Sequence, residues 1–326
     1  MRRAYLALSA LALVTAAAAL FIGHGSLHDA ALRDTFLQLR AYRLGAAFLA
    51  GATLAAGGAM VQALFRNPLV DPSIVGTTAG ASLGGQAALL TLHLVPGGAI
   101  LRRLSGEMVV PVGGMVGALV ALALLMLAAR RGRGLLIVLL TGAILSSLFL
   151  SIGGLVMSLA QESYEVARAI MAMSMGGVSG VGPRQLAMAL PLAIAGLVAA
   201  WLWGPPLDLL LSGEQEAASL GLDVRETRRW AVVWVAVLTT AAVSVGGNLA
   251  FVGLIVPHAL RPFVGVLTRR LIPAVALAGG TFVVACDLLT RSLPTHSEIP
   301  LGVVTGLVGA PLFLTLLFRT QREHHE

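Results

Sequence analysis

Apolar segments long enough to cross a bilayer follow one another along almost the entire chain. A helix needs about 20 apolar residues to span the hydrocarbon core, because it rises about 1.5 Å per residue. About ten such windows can be read, at roughly 4–23, 42–65, 73–92, 108–128, 135–159, 185–203, 230–249, 250–264, 271–291 and 299–318. The pattern predicts an all-α integral membrane protein with about ten transmembrane helices, folded as a single transmembrane domain over residues 1–326.

Composition supports this prediction and leaves no room for a separate soluble domain. Hydrophobic residues make up 57% of the chain and charged residues 11%, whereas soluble domains carry about 25% charged residues. The first apolar window follows Arg2-Arg3, so a signal peptide is an alternative to a first span. We favour an uncleaved span, because the apolar run is longer than an ordinary signal core and Gly23-His24-Gly25 is a poor cleavage site.

Arginines are distributed unevenly between two alternating sets of loops. The richer set holds Arg2, Arg3, Arg66, Arg130, Arg131, Arg133, Arg225, Arg228, Arg229, Arg269, Arg270, Arg319 and Arg322. The opposite set holds chiefly Arg33, Arg40, Arg43, Arg102, Arg103 and Arg291. Cytoplasmic loops carry the excess of basic residues, so the richer set and both termini are predicted to be cytosolic. The net charge of +7 is thus a signal of topology, and no nucleic acid partner is expected.

The sequence contains no lysine, because all 22 residues of the lysine and arginine class are arginine. A P-loop uses a lysine to reach the phosphates of a nucleotide. The chain therefore holds no P-loop, and if ATP drives its activity, another subunit supplies the ATPase. The single cysteine, Cys286, excludes a disulfide within the chain.

The segment from about 204 to 229 interrupts the apolar pattern with a cluster of charged residues. Gly204 to Pro206 ends the preceding helix, since proline cannot continue its hydrogen-bond ladder. Ser212 is predicted to cap a short helix that ends near Leu220. Asp223 begins the next helix in a pattern that resembles a capping box. Such an element is either a plain loop between two spans or a docking element for a cytosolic partner.

A turn-forming stretch lies between the second and third windows. Asn67 before Pro68 marks a stop, and Asp71 before Pro72 reads as a helix N-cap with proline at the first helical position. The Gly-x-Ser-x-Gly pattern around Ser82 matches that of serine hydrolases. Its glycines, however, recur every fourth residue from Gly76, which is the spacing of a helix-packing stripe. We interpret the pattern as packing, and an intramembrane protease remains the less favoured reading.

Four separated motifs resemble the permeases of ABC importers for iron-siderophores, haem and vitamin B12. Arg66 to Pro72 is similar to their Arg-Asn-Pro-Leu-Ala-x-Pro signature, and Gly76 to Ala81 is similar to the Gly-x-x-x-Gly-Ala that follows it. Phe251 to Arg261 resembles their Phe-x-Gly-Leu-x-x-Pro-His-x-x-Arg signature. Residues 211–222, Leu-Ser-Gly-Glu-x-x-Ala-x-x-Leu-Gly-Leu, resemble their cytosolic coupling loop. The runs 298–302 and 309–313 also match the family.

This resemblance implies a type II ABC importer permease fold in the bacterial inner membrane. The expected assembly is a homodimer with the path on its two-fold axis, two cytosolic ABC ATPase subunits and a periplasmic substrate-binding protein, surrounded by membrane lipid. The chain itself is expected to be no enzyme and to hold neither a metal nor a cofactor, because the partner ATPase binds ATP and Mg. Haem is the first expected substrate, and a ferric siderophore or vitamin B12 is the alternative. A secondary transporter is less favoured, since Asp287 and Glu298 lie near span ends rather than at the bilayer midplane.

The resemblance also implies roles for named residues. Coupling to the ATPase is expected at Gly213, Glu214, Ala217, Leu220 and Gly221. The cytoplasmic gate is expected at Asn67 and Leu69, with the basic turn at Arg131 and Arg133. The translocation path is expected at Met171, Met173, Met175 and Gly176, although these methionines also suit plain packing and Met173 stands where the family usually has tryptophan. Docking of the binding protein at the external surface is expected at Arg40, Arg43 and Arg291.

Two further polar groups invite interpretation. His258 could bind a metal, but no second histidine lies at helical spacing, so a structural histidine is favoured. Asp287 and Arg291 are four residues apart and are predicted to form a pair on one helical face. An ionisable residue at a helix centre in the membrane costs roughly 2.5–3.5 kcal/mol, so this pair is expected near the surface or facing the interior.

Overall fold

The computed structural model describes residues 2–23, 32–94, 106–131, 135–292 and 299–323. Within these ranges the chain is helical and contains no strand. The α-helices are α1 Arg2–Phe21, α2 Arg33–Phe65, α3 Thr77–Leu94, α4 Gly106–Arg131, α5 Leu135–Leu159, α6 Tyr164–Met175, α7 Pro183–Leu202, α8 Gly204–Leu211, α9 Glu214–Ser219, α10 Val224–Gly246, α11 Val252–Val264, α12 Thr268–Ser292 and α13 Leu301–Glu323.

Each of the ten apolar windows falls on one of these helices. Seven described helices are long and apolar enough to cross a membrane, namely α1, α2, α4, α5, α7, α10 and α12. The remaining three windows correspond to α3, α11 and α13. The prediction of an all-α integral membrane protein is confirmed, and seven of the ten predicted spans are long and apolar enough to cross a membrane. The predicted start of the second window, at residue 42, is wrong. Helix α2 begins at Arg33, about nine residues earlier.

Helix α2 lies at the centre of the bundle, and α1 lies at its edge. Of the apolar window in α2, 83% is buried, against 6% in α1. Glycines allow this burial, since a Cβ on Gly51 would stand 2.1 Å from the carbonyl oxygen of Gly279, and one on Gly58 would stand 1.9 Å from that of Gly253. Because lipid tails are as apolar as the side chains, such close backbone approach is what holds membrane helices together.

Helices α3 and α4 pack through a second glycine seam. A Cβ on Gly84 would lie 2.1 Å from the carbonyl oxygen of Gly113, and a Cβ on Gly117 would lie 2.1 Å from that of Gly80. The glycine stripe predicted from the sequence is therefore a packing stripe. Ser82 accepts a hydrogen bond from the Gln86 amide at 3.1 Å, and an amide cannot act as the base of a hydrolase.

Three backbone segments meet where α6 ends. The Gly177 N–H donates to the Gly246 carbonyl, the Asn248 N–H donates to that of Met173, and the Leu301 N–H donates to that of Gly176. Helix α11 has 13 residues and rises only about 20 Å, less than the hydrocarbon thickness of about 30 Å. A helix of this length cannot cross that thickness by itself, and the backbone just before it, at residues 246–248, is paired with other segments of the protein, as irregular backbone within a membrane must be.

Candidate functional site

The predicted cytosolic segment forms two short helices rather than one. Helix α7 ends at Leu202, and α8 begins directly at Gly204 with prolines in its first turn. The predicted cap at Ser212 is wrong, because its hydroxyl donates to the Leu209 carbonyl at 2.8 Å and so serves the end of α8. Gly213 occupies the N-cap of α9 with a φ of 125°, a conformation that favours glycine.

The predicted coupling segment extends over about 204–229, and the part that precedes α10, residues 204–223, is called the coupling segment below. It is attached to the N-terminal end of α12. The Asp208 carboxylate accepts a hydrogen bond from the backbone N–H of Thr268, the first residue of α12. A Cβ on Gly204 would lie 2.7 Å from the Cα of Arg269, so the two backbones are in direct contact. The Arg269 guanidinium stands 4.4 Å from the centre of the Trp201 ring, a cation–π distance. Movement of α8 is therefore tied to movement of α12.

The second half of the coupling segment is fixed to α10 and leaves an apolar side chain outside. Ala217 is fully buried, and its carbonyl accepts from the Leu222 N–H. Gly221 turns the chain with a φ of 87°. Asp223 caps α10 by accepting from the Glu226 N–H at 2.9 Å, as the sequence predicted. Leu220 is 63% exposed between these fixed points.

The turn at residues 66–71, predicted as a gate, is held by local hydrogen bonds and lies close to the coupling segment. Asn67 Oδ1 accepts from the Leu69 N–H at 2.9 Å, and Leu69 is 43% exposed. The predicted cap at Asp71 is confirmed, because Oδ1 accepts from the Ser73 N–H at 2.8 Å. Burial raises the pKa of the Asp71 carboxyl, against the hydrogen bonding with Ser73 that lowers it.

Arg66 connects this turn to the coupling segment. It ends α2 in the left-handed conformation with a φ of 50°. Its Nη1 lies 3.8 Å from the position that a Cβ on Gly213 would occupy. Of the other predicted gate residues, Arg131 ends α4 but its side chain lies outside the described residues, and so does the whole of Arg133.

The methionines predicted to line a path do not share one environment. Met171 and Met175 are 46% and 40% exposed, whereas Met173 is 7% exposed. The Met173 side chain packs onto α3 so closely that a Cβ on Gly85 would lie 2.2 Å from its Cε. Met171 and Met175 are therefore accessible from outside the chain in this conformation, whereas Met173 is not. Gly176 contributes through its backbone, in the junction described above.

A polar pair beside these methionines, Gln86 and Ser174, was not predicted from the sequence. The Gln86 amide donates to Ser174 Oγ at 2.8 Å, which links α3 to the exposed side of α6. Gln86 Oε1 is buried without a hydrogen-bond partner among the described residues. The signal was present, since Ser82 and Gln86 are four residues apart within a predicted span and therefore share a helical face.

The three arginines expected at the external surface form a buried cluster instead. Arg40 and Arg291 are only 6% and 7% exposed. Asp287, 1% exposed, lies 2.9 Å from Arg43 Nε and 2.8 Å from Arg291 Nη2. The predicted pair of Asp287 and Arg291 is confirmed, but the expectation that the arginines are exposed is wrong for Arg40 and Arg291.

The cluster binds the end of α1. Arg40 donates hydrogen bonds of 3.0–3.1 Å to three backbone carbonyls, and Arg291 donates to two at 3.1 Å. These carbonyls belong to Ala19, Leu20, Phe21, Ile22 and Gly23. The last carbonyls of a helix have no partner within the helix, and at a membrane boundary cationic side chains can satisfy them. The arginines therefore hold a helix that has little packing of its own.

Solved structures place this fold among the permeases of ABC transporters. A metal-chelate type ABC transporter in an inward-facing conformation matches with a TM-score of 0.86 at 29% identity, covering 98% of this chain and 100% of that chain. PsaBC from Streptococcus pneumoniae, in complex with a Fab, shares the fold at a TM-score of 0.56 and 17% identity, over 85% of this chain and 90% of that one. The chain is a multi-pass, membrane-embedded permease.

The chain belongs to the FecCD transport family, whose family model matches residues 4–319. It is 37% identical to the cobalamin import system permease protein BtuC of Halobacterium salinarum, over 82% of this chain and 69% of that protein. It is 34% identical to the Fe(3+) dicitrate permease FecD of Escherichia coli, over 87% and 85%. It is 33% identical to the hemin permease HmuU of Yersinia pestis, over 90% and 85%.

Proposed function

We propose that this chain is the permease subunit of an ATP-driven importer that carries haem, or another iron chelate, into the cytoplasm. It works as a homodimer in the bacterial inner membrane, with both termini cytosolic, two ATPase subunits below it and a periplasmic binding protein above it. The observation that carries the proposal is the coupling segment, because Asp208 attaches it to α12 and Arg66 lies beside Gly213. A displacement of this segment by the ATPase would therefore be transmitted both to α12 and to the turn at residues 66–71.

Haem is the first choice of cargo because the two exposed methionines of α6, Met171 and Met175, offer a polarisable apolar wall to a large flat ligand. Relatives named for cobalamin, ferric dicitrate and hemin keep ferric siderophores and vitamin B12 as alternatives.

The test of the cargo uses the complex reconstituted in liposomes with its co-purifying ATPase and binding protein, and offers haem, ferric dicitrate and cobalamin separately. Uptake of haem that needs ATP and survives a proton uncoupler supports the proposal. Uptake that stops with the uncoupler while ATP is present contradicts it.

The proposed gate consists of Asn67 and Leu69, and the exposure of the Leu69 side chain supports this role. In a Cys286→Ala background, a cysteine at position 67 should crosslink across the homodimer when the inner side is closed. A cysteine at Ser179, which is exposed beyond α6, is the matched control and should not crosslink. If no nucleotide or binding-protein condition brings the two position-67 cysteines together, either the gate or the homodimer is misassigned.

Docking of the binding protein at the arginine cluster is also part of the proposal, and Arg43 is now its most accessible residue. To bind carboxylates of the partner, Arg40 and Arg291 would have to give up their hydrogen bonds to the backbone carbonyls at the end of α1, whereas 16% of the Arg43 side chain is already exposed. Arginine suits this role because its planar fork matches carboxylate geometry. Arg43→Glu should lower ATPase stimulation by the binding protein while the basal rate persists. Unchanged stimulation with unchanged dependence on salt would argue against docking here.

A further inference from the structure

Glu214 and Arg228 form an ion pair that joins the short helix α9 to the first turns of the spanning helix α10. Glu214 is the first residue of α9, and Arg228 lies in the second turn of α10. Their contact runs from Arg228 Nη2 to Glu214 Oε1. Both side chains are partly exposed, at 44% for Glu214 and 30% for Arg228. The pair therefore lies at the surface, where it can rearrange without disturbing a core.

Helix α9 needs such an attachment because it is too short to hold an orientation alone. It has six residues, and isolated helices below about 12 residues are marginal in water. Its C-terminal end is held by the buried Ala217, whose carbonyl accepts from the Leu222 N–H. At its N-terminal end, Gly213 provides no side-chain cap. The Glu214 carboxylate is favourably placed there, both for the helix dipole and for Arg228.

We propose that Glu214 is a positioning residue, and that it couples ATP hydrolysis to transport by holding α9 at a set angle on α10 through Arg228. The surface that the ATPase contacts is then the exposed Leu220 at the far end of α9. This inference rests on the proposed function, since it assigns a device to the coupling segment. It differs from a direct contact between Glu214 and the ATPase, in which Arg228 would have no part.

Charge reversal separates the two arrangements. Glu214→Arg places two arginines against each other, and Arg228→Glu places two carboxylates against each other, so each single variant splays α9 from α10. The double variant Glu214→Arg, Arg228→Glu restores an ion pair with its polarity reversed. If Glu214 acts through Arg228, the double variant recovers coupling; if it contacts the ATPase directly, the double variant stays defective. Arg229→Glu is the matched control, because Arg229 is exposed on α10 directly after Arg228, lies outside the coupling segment, and faces another direction, about 100° around the helix.

The assay uses the full complex purified with its ATPase and reconstituted in liposomes. Uptake of haem per ATP hydrolysed should fall about tenfold in each single variant and return to within about twofold of wild type in the double variant. This is the pattern that two interacting residues give in a double-mutant cycle. Arg229→Glu should behave as wild type.

Titration of the ATPase subunit gives a second readout. The Glu214→Arg and Arg228→Glu variants should change the maximal coupled rate at unchanged apparent affinity for the ATPase, and Leu220→Asp should weaken that affinity.

The outcomes separate failure of the inference from failure of the proposed function. Recovery in the double variant supports the positioning role. If Leu220→Asp weakens assembly but the double variant stays uncoupled, the positioning role is overturned and the coupling segment stands. If Leu220→Asp changes neither assembly nor coupling, the proposed function of the segment is overturned as well. Protection of Cys286 from a thiol reagent, measured in every variant, shows that each one is folded, since this thiol is buried.

Discussion

Replacing Asp287 by asparagine removes the charge on which Arg43 and Arg291 converge near the C-terminal end of α12. Asp287 is 1% exposed and Arg291 is 7% exposed, so both lie outside water. Breaking a buried ion pair by removing one partner costs about 3–5 kcal/mol, because the remaining cation stays desolvated. We expect the lower end, about 3 kcal/mol, since asparagine keeps an accepting oxygen and Arg43 has 16% of its side chain exposed.

The neighbouring thiol reports this loss directly. Cys286 is the chain's single cysteine, and it is 1% exposed. A fluorogenic maleimide should therefore label it only when this part of α12 opens. Since about 1.4 kcal/mol corresponds to a factor of ten, labelling of Asp287→Asn protein in lipid nanodiscs should be on the order of 100-fold faster than that of wild type.

Two variants complete the experiment. Asp287→Asn combined with Arg291→Gln should label more slowly than Asp287→Asn alone, because the double change also removes a cation left without its counter-charge. Glu216→Gln, at an exposed site on α9, should label at the wild-type rate. Labelling of Asp287→Asn at the wild-type rate would refute the reasoning that this carboxylate stabilises the cluster.

Three further predictions concern stability and use the same labelling assay. Gly58→Ala should unfold the protein or open it severely, because the added Cβ would meet a carbonyl oxygen of α11 at 1.9 Å, whereas Gly154→Ala, with nothing within 4 Å, should be tolerated. Asp71→Ala should cost about 1 kcal/mol through loss of a helix cap and Asp71→Asn much less, so equal labelling rates for the two would contradict the capping role. Met173→Ala should cost about 2–5 kcal/mol by leaving a cavity, while Met175→Ala, at an exposed position, should leave the labelling rate unchanged.

Local features of this fold were predictable from the sequence. The ten spans follow from apolar length, and the caps at Asp71 and Asp223 follow from residue type and spacing, because each depends on residues at most three positions away. The packing role of the glycine stripe was predictable for the same reason, since Gly80 and Gly84 repeat at helical spacing. The prediction was wrong where a side chain has two possible hydrogen-bond partners. The Ser212 hydroxyl donates to the Leu209 carbonyl at the end of α8 instead of capping the start of α9.

Features set by distant partners could not be predicted in this way. Arg40 and Arg291 look like exposed boundary arginines, but their partners are backbone carbonyls of α1, in the case of Arg291 as far as 272 positions along the chain. The different environments of Met171 and Met173 depend on which face of α6 meets α3. The pairing of Glu214 with Arg228 depends on the angle between α9 and α10. None of these relations leaves a periodic signal in the chain.

The attachments of α12 at its two ends constrain its length. Thr268 is bound to the Asp208 carboxylate at one end, and Asp287 holds arginines at the other, within one helix of 25 residues. Inserting one residue between these two points would rotate one end against the other by about 100° and move it by about 1.5 Å. Asp287 would then point away from Arg43 while Thr268 kept its place. Insertions and deletions that a surface loop tolerates should therefore disrupt α12. The number of residues between Thr268 and Asp287 is constrained as strictly as the side chains that form the two attachments.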